Sequence, residues 1–106
     1  MFYIKQNDTS PAIQKICLDS TDTAVNVTGA TVRFLMRQVG SNTAKVTGVG
    51  AVVDGSAGIV KYQWVDGDTD TAGEFEGEFE VTYADTTIET FPNSTYIKIR
   101  ITEEIG

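Results

Sequence analysis

Two groups of carboxylates have spacings that could do chemistry. Asp66-Gly67-Asp68-Thr69-Asp70 sets three acids at alternate positions of a segment that runs on to Glu74. Alternate carboxylates in a turn can converge on calcium, which takes six to eight oxygens. Thr71, however, stands where an EF-type loop needs glycine, and Gly77 where it needs a bidentate glutamate. An acidic, solvated turn between strands accounts for the same residues. The second group is Glu74, Glu76, Glu78 and Glu80. Two-carboxylate hydrolysis needs groups about 5–9 Å apart and one raised pKa in a cleft. Neighbours at i and i+2 on a strand meet the distance, but an open row of four offers nothing to drive two pKa values apart. A solvated face that discourages edge pairing is the simpler reading. The sharper one is a docking face for basic residues, Arg33, Arg37 or Lys98 of a neighbouring copy among them. With Arg100, these eight residues form the candidate interaction face.

Other chemistry is excluded by what the chain lacks. It has no histidine, so there is no Ser-His-Asp triad, Cys-His pair or imidazole ligand. A lone cysteine, Cys17, forms neither an internal disulfide nor a zinc cluster, and reads as a small buried apolar side chain. Gly55-Ser56-Ala57-Gly58 lacks the spacing of a nucleophile elbow. No cofactor and no metal site is expected, and the expectation is that the chain is not an enzyme. With 15 acidic against 8 basic residues the net charge is −7, which removes the usual drive toward nucleic acid.

The elements that position these residues follow from period-two alternation. From Gly73 to Tyr83, Phe75, Gly77, Phe79, Val81 and Tyr83 share one face and the glutamates the other. Val32, Phe34 and Met36 repeat the pattern in Thr31 to Arg37, Val60, Tyr62 and Trp64 in Ile59 to Val65, and Ile97, Ile99 and Ile101 in Tyr96 to Thr102. Weaker strands are Phe2–Lys5, Val46–Val53 and Ile88–Phe91. Ala12 to Leu18 fits a short helix or a strand and is assigned a strand, because every longer segment reads that way. Phe34, Tyr62, Trp64, Phe75 and Phe79 occupy inward positions and are expected to be core rather than a ligand pocket. Tyr83 reads as a core residue with a polar tip, and Tyr96 as an exposed contact.

The chain has 106 residues, 41% of them apolar, with fifteen threonines and two prolines, which describes one globular β domain over residues 1–106. Turn signals every 10–12 residues or so predict an all-β fold, an antiparallel immunoglobulin-like β-sandwich of about seven to eight strands. The Cys…Trp…Cys signature of antibody domains is absent. No segment reads as a leader or a membrane span, so no membrane partner is expected. Asn7, Asn26 and Asn93 head glycosylation-type triplets that read as accidents of a Thr-rich chain. Residues 1–53 carry a balance of +2 and residues 54–106 one of −9, which predicts a polarised surface.

A family likeness adds to this reading. Asp8-Thr9-Ser10-Pro11 and the run from Val25 to Phe34, with Gly58 to Trp64, Asp70 to Phe75, Glu78 to Tyr83 and Thr90-Phe91-Pro92-Asn93, follow in the family's order. In these residues the chain resembles the immunoglobulin-like N-terminal domain of siphophage upper baseplate proteins, over nearly its whole length. The resemblance implies a non-enzymatic virion protein, made in the host cytoplasm, that docks onto other virion structural proteins and onto copies of itself. It supplies no catalytic residues. Upper baseplate proteins usually continue past this domain, whereas this sequence stops at Ile105-Gly106. A small tail or baseplate adaptor is therefore the leading expectation. The alternatives are a capsid decoration protein, or a carbohydrate-binding or calcium-binding module using the Asp66–Asp70 turn or exposed aromatics.

Overall fold

Runs of β-branched and aromatic residues at two-residue spacing become nine strands in the computed structural model, which describes residues 1–105. They are β1 (Phe2–Lys5), β2 (Ile13–Ile16), β3 (Thr31–Gln38), β4 (Ala44–Val49), β5 (Ala51–Asp54), β6 (Ile59–Tyr62), β7 (Gly73–Thr82), β8 (Ile88–Phe91) and β9 (Ile97–Thr102). A larger sheet runs β1-β9-β7-β3-β4, with β8 added beside β7, and a smaller one runs β2-β6-β5. The ten-residue β7 organises the larger sheet. One edge pairs with β3 from Thr82 to Phe75, and the other with β9 over Gly73–Gly77 and then with β8 over Phe79–Thr82.

One buried cluster fills the space between the sheets. Phe34, Met36, Phe79, Val81, Ile99 and Ile101 come from the larger sheet, and Ile13, Val60 and Tyr62 from the smaller. Phe34 lies at its centre. Its ring stacks on Tyr62 across the two layers at 4.8 Å and meets the edge of Trp64 at 5.6 Å and Phe79 at 5.0 Å. All five aromatics expected to be core are buried, as is Cys17.

Three expectations need correction. The described residues form nine strands, where about seven to eight were expected. The pairing is not wholly antiparallel, because β1 runs parallel to β9, Phe2 opposite Ile99 and Lys5 opposite Thr102. The predicted single strand Val46–Val53 is two strands in different sheets. Gly50 is the crossing point: its N–H donates to the Val32 carbonyl at 2.9 Å. A Cβ there would lie 2.9 Å from Val32 Cγ1 and 3.0 Å from the Lys61 carbonyl, too close for a side chain. Gly58 lies in the turn that joins β5 to β6 within the smaller sheet. Its φ of +71° suits glycine, and a Cβ would sit 2.7 Å from the Val25 carbonyl.

Candidate functional site

The outer face of the larger sheet carries all eight residues of the candidate interaction face. Alternation along β7 points its glutamates away from the core, and register decides what each one meets. Phe34 opposite Phe79 is an inward pair, so the outward pairs are Arg33 with Glu80, Leu35 with Glu78 and Arg37 with Glu76. Arg33 Nη2 donates to both carboxylate oxygens of Glu80, at 3.0 and 3.2 Å, and Arg37 Nε to Glu76 at 3.1 Å. From β9, Arg100 Nη1 donates to Glu74 at 2.8 Å. Three of the four glutamates are thus neutralised by guanidinium groups of their own chain. Lys98 lies opposite Glu76 in register but forms no ion pair among the described residues. Glu78 faces Leu35 and has no ion pair or hydrogen bond among them either.

Arg33 and Arg37, from the first half of the chain, thus meet Glu80 and Glu76 from the second, whereas Arg100 and Glu74 both belong to the second half. Most remaining carboxylates lie in connections: Asp19 and Asp22 before β3, Asp66, Asp68 and Asp70 before β7, and Asp85 before β8.

The Asp66–Asp70 turn does not gather its acids. Asp68 Oδ2 accepts the Tyr62 hydroxyl at 2.6 Å and the Val65 N–H at 2.9 Å, closing the turn onto the core. Burial, reinforced by that carboxylate, holds the Tyr62 phenol well above its ordinary range. Asp70 points elsewhere and takes the Lys45 ammonium at 2.6 Å and the Thr71 hydroxyl at 3.0 Å, which keep its carboxyl below the usual range. Between them, Thr69 is buried and its hydroxyl donates to the Asp8 carbonyl at 2.7 Å. Among the described residues no three acidic or cysteine side chains converge as a metal would require.

A contact absent from the sequence reading lies beside the ladder. Tyr96, in the connection between β8 and β9, is half exposed, and the Arg37 guanidinium sits 5.0 Å from its ring centroid. This cation–π contact holds Arg37 between Glu76 and the ring. Two shallow depressions of about 160 and 230 Å³ adjoin there, and Glu78 and Tyr96 line both. The first is also lined by Leu35, Arg37, Asn42, Ala44 and Glu76, and the second by Thr90 and the Pro92–Thr95 segment. Alternation put the arginines and glutamates on outward positions, but the Phe34–Phe79 register that pairs them comes from the fold. Nothing in spacing could have brought Tyr96 to Arg37, because that contact depends on the path of a connection.

No protein-family model matches this chain, and no curated protein or solved structure is significantly similar to it. Its chemistry is therefore read from the face itself. Paired charges, one open carboxylate and a half-exposed ring equip it for contact. Among the described residues no helix is long and apolar enough to cross a membrane.

Proposed function

We propose that this chain is a non-enzymatic structural protein of a tailed-phage particle, an immunoglobulin-like docking module of the tail or baseplate. The observation that carries the reading is the strand order, which agrees with the likeness noted in the residues. With β2 as B, β3 as C, β4 as C′, β5 as D, β6 as E, β7 as F and β9 as G, the sheets run G-F-C-C′ and B-E-D. This order supports the reading, since variable-type immunoglobulin sandwiches also place C′ beside the GFC strands and B, E and D together, although no strand among the described residues takes the place of their C″. Beyond these seven strands, β1 joins β9 in parallel and β8 forms a further hairpin arm on β7.

In this reading the module works by adhesion. Rigid sheet faces present charged and aromatic side chains to neighbouring virion proteins and other copies, and complementary charge sets orientation. The virion is its location. Mass spectrometry of purified tailed-phage particles from a host producing this chain tests the proposal. The chain is expected at a fixed ratio to the tail proteins, and labelled copies should appear in images at the tail or baseplate. Particles that lack the chain would overturn it.

A further inference from the structure

We infer that the depression between Glu78 and Tyr96 receives a basic side chain, lysine or arginine, from a protein partner docked on the outer face of the larger sheet. The inference rests on the docking reading above and names the chemistry of the contact. Glu78 is the only glutamate of the β7 ladder left open among the described residues, and register explains why. The β3 residue opposite it is Leu35, flanked by arginines that are already engaged with Glu80 and Glu76. Arg37 cannot swing to it without giving up both Glu76 and the Tyr96 ring.

The walls suit an amphipathic cation. Leu35 and Ala44 offer apolar surface for an alkyl stem, and Glu78 an acceptor for the charged head. Arg37 also lines the depression, but its charge is offset by Glu76 and its guanidinium is held at the Tyr96 ring, so Glu78 is the one uncompensated charge of the lining. Size points the same way. About 160 Å³ is below the range of sites that enclose whole small molecules, and is better matched to a single side chain. A net charge of −7 draws a cationic partner toward the molecule, and the open carboxylate gives it one place to register.

The test uses the isotope-labelled protein in low salt, titrated with N-acetyl-lysine methylamide and N-acetyl-arginine methylamide while amide resonances are followed. N-acetyl-norleucine methylamide and glucose serve as neutral controls. Saturable shifts at Leu35, Asn42, Glu78 and Tyr96 are expected with at least one cation and with neither control. Glu78→Gln, a surface change whose fold is checked in the same spectra, should weaken binding about fivefold, the upper worth of a part-exposed ion pair. The inference falls if no shifts appear, if Glu78→Gln leaves binding unchanged, if the controls do the same, or if the shifts centre on the acidic connections. Particles containing the chain alongside a silent groove would sink this inference alone. A responsive groove on a chain missing from particles would sink only the virion role.

Discussion

Trp64 shows how much of the molecule rests on single side chains. It is the only tryptophan, is 2% exposed, and sits against both Phe34 and Tyr62. Its indole N–H is buried without an acceptor among the described residues, an arrangement that costs about 1–3 kcal/mol. Trp64→Ala, which empties the space of the buried ring, should lose about 3–5 kcal/mol of stability in urea unfolding followed by circular dichroism. Trp64→Phe should lose much less, since it removes the orphan donor while keeping a ring. Equal losses would contradict this account of the N–H. Cys17 supplies a second residue-level expectation. Burial pushes its thiol from 9.0 up to about 11. The unfolded chain gives up that proton first, so the stability it contributes is complete below pH 9 and declines as pH rises toward 11. A shift of that size is worth up to about 3 kcal/mol. Tyr62 and Tyr83, both raised chiefly by burial, add to the alkaline loss from about pH 10. Cys17→Ala should make the decline between pH 8 and 11 shallower in denaturant titrations, although it lowers stability at neutral pH.

Among elements, β7 was the most legible, because five glutamate or threonine positions alternate without a break against apolar ones. Its extent and its buried face follow from that alternation, whereas its cross-strand partners, set by the Phe34–Phe79 register, do not. The ion pairs it makes are exposed at one or both ends. Arg33 and Glu80 should couple by only about 0.2–1 kcal/mol in a double-mutant cycle with alanine. A coupling above 2 kcal/mol would mean that the pair is far better shielded from water than its exposure indicates. The β4–β5 stretch was misread because Val46, Val49, Val52 and Val53 sustain a strand-like pattern through the crossing. The informative residue was Gly50, where the backbone of β4 leaves one sheet and close approach forbids a Cβ. The parallel partnership of β1 and β9 was not legible at all. Hydrophobic alternation determines which face a residue takes, but carries nothing about strand direction or neighbour.

At the scale of the whole molecule, the candidate face was found by composition but its internal chemistry was not. The sequence placed eight charged residues on outward positions, whereas only the fold disclosed that six of them cancel in pairs within the chain. This changes what charge reversal should do. Glu76→Lys and Glu80→Lys each strand an arginine of the same chain, so their effect on assembly would mix local loss with lost docking. Glu78 escapes that confusion and is the cleaner position to alter. The two parallel strands carry a different implication. Traction applied to the leading end of β1 and the trailing end of β9 pulls them past each other along their length. Their hydrogen bonds, extended by the Gln6 N–H to Thr102 carbonyl bond at 2.8 Å, would then be loaded in shear and fail together instead of unzipping singly. A module tethered at those two points would behave as a mechanical clamp, its resistance concentrated in a pairing of four residues.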